Sequence, residues 1–107
     1  MKRTFFAIGL TLLSAGHVSA MSDDEARDTM GLVVAHTTIV QRRCGTNIYD
    51  ARLNGYLRPL GVSQSDVRKT ARYAAALKEA EAMLAADPAN TCRWIVEGLE
   101  FLHVVKH

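Results

Sequence analysis

Residues 22–45 read SDDEARDTMGLVVAHTTIVQRRCG, and the punctuation in this stretch decides the fold class. Ser22 followed by Glu25 has capping-box spacing: hydroxyl and carboxylate can each satisfy the other residue's backbone N–H, so a helix should begin at about Asp23. Ala26, Met30, Val33, Thr37, Val40 and Cys44 then recur at steps of four and three, widened by Val34 and Ile39. That is the period of one buried helix face. Asp23, Asp24, Glu25 and Asp28 gather where the helix dipole is positive, and Arg42 and Arg43 where it is negative. Gly45 ends the pattern, because glycine is the usual residue just past a helix terminus.

Downstream, the same punctuation repeats. Asn47 can cap a second, shorter helix whose apolar set is Tyr49, Leu53, Tyr56, Leu57 and Leu60. Pro59 disfavours helical geometry at Arg58, so this element should stop near Leu57, with a turn at Gly61 and Val62. Ser63 with Asp66 opens a third helix, striped by Val67, Thr70, Tyr73, Ala74, Leu77, Ala80 and Leu84. Its many alanines favour helix and permit close approach of a neighbour. Asp87-Pro88 breaks it and can start the next helix as cap and first-turn proline, with Asn90 or Thr91 as alternative caps. The last helix carries Cys92, Ile95, Val96, Leu99, Leu102 and Val105 inward, with Trp94 and Phe101 beside them. No run alternates as a strand does. The expectation is all-α: a small bundle of about four helices near 23–43, 48–58, 64–86 and 90–105.

Upstream, Lys2 and Arg3 precede an apolar run from Phe5 to Leu13, followed by Val18-Ser19-Ala20. This basic, apolar, small-residue order is that of a secretory signal peptide cut after Ala20. The run is shorter than the roughly 20 apolar residues of a membrane span. Residues 1–20 are therefore read as a signal peptide and 21–107 as a single helical domain, periplasmic or secreted. A translation start at Met21 is the competing reading and would leave a cytosolic protein with reduced thiols.

The whole chain of 107 residues carries a formal charge of +2, from 13 basic and 11 acidic groups. Lys2 and Arg3 supply that surplus, so the mature part is neutral. Phosphate binding needs excess Lys and Arg on one face, which argues against a nucleic-acid partner. At 49% hydrophobic, with two Cys and two Pro, the chain fits none of the collagen-like, disordered or disulfide-dense classes. The two cysteines lie in neither a redox nor a haem-attachment motif. In an exported chain, Cys44 and Cys92 are expected to form one structural disulfide; free buried thiols belong to the Met21 start.

Chemistry-bearing groups are few. Glu100, His103 and His107 would share one side of a continued helix, with Glu97 one turn back, and two histidines beside a carboxylate can hold zinc, copper or nickel. Against that, helices fray at their ends and no fourth ligand is identifiable, so no metal or cofactor is expected. His36, beside Leu32 and Ile39, is either a pH-responsive group or a partly buried structural histidine. There is no nucleophile elbow, zinc-protease motif or phosphate loop, so no enzyme is expected. Arg52, Arg58, Arg68, Lys69 and Arg72 surround the Gly61 turn, as a modest basic patch or as ordinary solvated charge.

Aromatic and guanidinium side chains dominate interface energetics, and the short second helix alternates them. Tyr49, Arg52, Tyr56 and Arg58 are accordingly the expected partner-binding set; the plain alternative is that Tyr49, Leu53 and Tyr56 form a buried stripe. In general plan alone, a signal peptide, about ninety residues, helices and one disulfide resemble two groups, the acid-stress periplasmic chaperones and the helical immunity proteins against secreted amidase toxins. No residue pattern is shared, so no functional residue is carried over. The expected function is non-catalytic binding of another envelope protein, as inhibitor, immunity or chaperone-like factor. A periplasmic metal or small-ligand carrier using the C-terminal helix is the alternative.

Overall fold

A computed structural model describes residues 22–107; the signal-peptide reading of residues 1–20 lies outside them. The fold is helical, with α1 at Asp23–Arg43, α2 at Asp50–Leu57, α3 at Gln64–Val67, α4 at Ala71–Ala86 and α5 at Pro88–Glu100. A short 3-10 turn, Arg58–Leu60, follows α2. Two-residue strands β1, Asn47–Ile48, and β2, Val105–Lys106, pair antiparallel, Asn47 opposite Lys106 and Ile48 opposite Val105.

The central element is α1, packed most extensively on α4 and then on α5. Its capping box is complete: the Ser22 hydroxyl accepts from the Glu25 N–H at 3.1 Å, and the Glu25 carboxylate accepts from the Ser22 N–H at 3.0 Å. Gly45 adopts φ +67° just beyond the helix, which turns the chain into β1. Val34, Ala35, Ile39 and Val40 are fully buried. Thr37 and Thr38 join them because both hydroxyls donate to the Val34 carbonyl, at 2.8 and 2.9 Å, leaving no polar group stranded.

Close approach on the α4 side depends on one glycine. A Cβ at Gly31 would lie 2.9 Å from Arg72 Cγ and 3.3 Å from the Tyr73 backbone nitrogen. Facing α1, Tyr73, Ala76, Ala80 and Leu84 are buried, and the Tyr73 hydroxyl reaches Thr38 Oγ1 at 3.3 Å. On α5, Thr91, Ile95 and Leu99 face the core. Cys44 and Cys92 are bonded, with Cα atoms 5.7 Å apart, tying the end of α1 to the first turns of α5.

Four details depart from the sequence reading. First, the expected helix 64–86 is two helices. Thr70, expected in the stripe, is exposed and caps α4: its hydroxyl accepts from the Tyr73 N–H at 3.2 Å while donating to the Val67 carbonyl at 2.7 Å. Second, Asn47 is not a cap; it lies in β1, and Tyr49 occupies the N-cap of α2. Third, the last helix starts at Pro88, with Asp87 accepting from the Asn90 N–H, and stops at Glu100 rather than near 105. His103 takes a left-handed φ of 59°, and the chain doubles back so that Val104 and Val105 enter the core and β2 forms. Fourth, Trp94 and Phe101 point outward; they are 56% and 86% exposed.

Candidate functional site

The second helix and the C-terminal turn form one joint. The Tyr56 hydroxyl donates to the Leu102 carbonyl at 2.8 Å, Arg52 donates to the His103 carbonyl at 2.9 Å, and the Tyr49 N–H donates to the Val104 carbonyl at 2.7 Å. These carbonyls follow the end of α5, where the helix no longer supplies donors. The Arg52 guanidinium also stacks 4.3 Å from the Tyr49 ring centroid, with Lys106 Nζ at 5.6 Å from the same ring. Of the four residues expected to bind a partner, Arg52 and Tyr56 thus hold the chain's own C-terminal turn. Tyr49 is half-buried, Tyr56 remains 42% exposed, and Arg58 is exposed beside a shallow hollow with Asn54, Val62 and Ser63.

Three members of the expected basic group around Gly61 have partners of their own. Arg72 pairs with Asp28 on α1 at 3.7 Å, Arg68 donates to the Gln64 side chain at 3.0 Å, and Arg52 is committed to the joint just described.

Because α5 stops at Glu100, the Glu100, His103 and His107 side chains do not stack on one helix face. The turn brings His107 Nε2 within 3.0 Å of the Glu100 carboxylate, and His103 lines a hollow of about 280 Å³ with both of them. Among the described residues, no three His, Cys, Asp or Glu side chains gather as a metal-holding cluster. No helix among the described residues is long and apolar enough to cross a membrane.

A different surface emerges between α1 and α5. Leu32, Val33 and His36 from α1, Trp94 and Gly98 from α5, and Phe101 just past its end line an apolar groove of about 470 Å³. His36 meets Trp94 edge-on, ring centroids 6.0 Å apart. Burial holds the His36 imidazole below its ordinary pKa, Glu79 opposes that shift and Arg72 reinforces it. Two capping carboxyls are also held low. Hydrogen bonds from the Ser22 backbone and hydroxyl act on Glu25, and those from Ser63 act on Asp66.

Sequence reasoning placed Trp94 and Phe101 beside the inward stripe and missed this groove. A signal was present: Trp94, Gly98 and Phe101 follow one another at steps of four and three, along one edge of the stripe that carries Thr91 and Ile95. No protein-family model, curated protein or solved structure matches this chain.

Proposed function

We propose that the protein is a small exported, non-catalytic binding protein that acts on another envelope protein, as an inhibitor, immunity or chaperone-like factor. The observation that carries the reading is the exposure of Trp94 and Phe101 beside an apolar groove. A small monomer leaving such side chains in water pays hydration costs that a partner would remove. Tryptophan is also among the side chains that contribute most to interface energies. The bond between Cys44 and Cys92 suits an oxidising compartment and fits the basic, apolar and small-residue order of residues 2–20. A stapled bundle also presents its surface with little conformational freedom left to lose on binding.

Affinity capture tests this. The oxidised protein, immobilised and exposed to an envelope extract, is expected to retain one stoichiometric partner, and Trp94→Ala is expected to retain much less. An empty capture, or retention indifferent to Trp94→Ala, Tyr56→Ala and Arg58→Ala alike, overturns the reading.

A further inference from the structure

We infer that the groove between α1 and α5 seats one helix of a partner protein, a helix whose small or apolar seam is flanked by lysine or arginine. The inference rests on the binding-protein reading and adds the surface and the chemistry that fits it.

Gly98 is the first reason. It lies inside α5 with ordinary helical backbone, and a Cβ there would meet nothing within 4 Å. Neither a positive φ nor an internal neighbour requires glycine in this last turn of α5, and glycine within a helix weakens it. Gly31 is the contrast, since Arg72 and Tyr73 fill the space beside it. What a bare Cα at Gly98 does provide is close approach from outside. The position is flanked on the same face by Trp94 and Phe101, so an approaching backbone would meet a glycine floor between two aromatic walls.

The second reason is charge. No lysine or arginine lines the groove, whereas Glu97 does, and Glu97 makes no ion pair among the described residues. Glu97 also borders an adjoining hollow with Glu100, Phe101 and His103. An apolar floor with carboxylates at its rim is complementary to apolar residues flanked by cations. A second copy fits poorly: crossing two α5 helices at Gly98 would set Glu97 and Glu100 of each beside those of the other. Anionic lipid is disfavoured for the same reason. A strand is disfavoured too, because the backbone groups of α1 and α5 are consumed within their own helices and offer no edge for pairing.

Trp94 is the only tryptophan in the chain, so its fluorescence reports on the groove directly. The probes are two synthetic helical peptides sharing one leucine–alanine seam, one flanked by lysines and the other by glutamates. The lysine peptide is expected to blue-shift Trp94 emission, and the glutamate peptide to leave it unchanged. Gly98→Leu, Phe101→Ala and the pair Glu97→Gln with Glu100→Gln are each expected to weaken the lysine peptide by about tenfold or more, a loss of about 1.4 kcal/mol per factor of ten. Gly98→Leu should melt no lower than the wild type, which separates lost binding from lost folding. Equal binding of the two peptides, or undiminished binding to Gly98→Leu, overturns the inference. So does concentration-dependent self-association that buries Trp94. Capture of the same partner by wild type and Gly98→Leu would remove the groove and leave the binding-protein reading standing; an empty capture removes both.

Discussion

Reducing the disulfide, or replacing it by Cys44→Ala with Cys92→Ala, should cost this small domain a large part of its stability. The bond closes a loop with a sequence separation of 48 residues. In the chain-entropy model, releasing a loop of that length returns to the unfolded state about 14 cal/mol/K, or about 4 kcal/mol at 25 °C. Domains of this size hold about 5–15 kcal/mol in all. Each kcal/mol moves the melting midpoint by about 4–8 °C, so a fall of at least about 16 °C is expected. The half-buried cysteines pack on the core, and alanine adds no hydroxyl there, so the variant isolates the cross-link from a new polar burial. Thermal and urea unfolding followed by far-UV circular dichroism, on oxidised, reduced and double-alanine proteins, are the assays. The reduced forms should also show a steeper denaturant dependence, because an uncrosslinked chain exposes more surface on unfolding. Coincident melts within about 5 °C would refute the reasoning and place the stability in the helix contacts alone.

Two of the three glycines within the described helices give opposite signs for one substitution. Gly98→Ala should raise stability by about 0.5–1 kcal/mol, whereas Gly31→Ala should lower it by about 1 kcal/mol or more as the α1–α4 contact is forced apart; thermal melts read both. Tyr56→Phe removes the hydroxyl donor to Leu102 and should cost about 1 kcal/mol, with amide exchange at residues 101–106 accelerating more than that of α1. Stability should decline on acidification. His36, Glu25 and Asp66 are all held below their ordinary pKa values, so the unfolded chain takes up protons first. The His36 contribution is complete above about 6.5 and is lost as pH falls through its folded value, and the two carboxyls follow below about 4.5 and 3.8. Urea midpoints measured across that range test the sign, and His36→Gln should flatten the upper part of the slope.

What was legible in the residues follows from the range of the physics behind each feature. The caps at Ser22 and Ser63 are hydrogen-bond patterns closed within three residues and appear where the spacing placed them, and Asp87 was one of three candidate caps for the last helix. The cysteine pairing followed from there being two cysteines and from the expectation of export. Thr70 misled because one residue fits two local roles, a period-matched stripe position and a cap, and only its two hydroxyl bonds separate them. The β pair had no periodic signal, being two residues long and joining Ile48 to Val105 across most of the domain. Trp94 and Phe101 were misplaced because apolar residues occupy much of the α5 circumference. Local period cannot tell which part of it meets α1 and α4. Likewise, the tyrosine and arginine of α2 were recognisable as adaptable side chains, but their attachment to Leu102 and His103 depends on where the last helix ends.

The entry of Val104 and Val105 into the core has a consequence for the order of events during synthesis. These two residues leave the ribosome after every other core residue, yet Val104 is fully buried and Val105 pairs with Ile48. Synthesis at about 5–20 residues per second gives α1 several seconds without the segment that completes its surroundings. Closure of the domain around α1 is therefore a late event in synthesis. Oxidation of Cys44 is likewise deferred, since Cys92 arrives only shortly before those last valines.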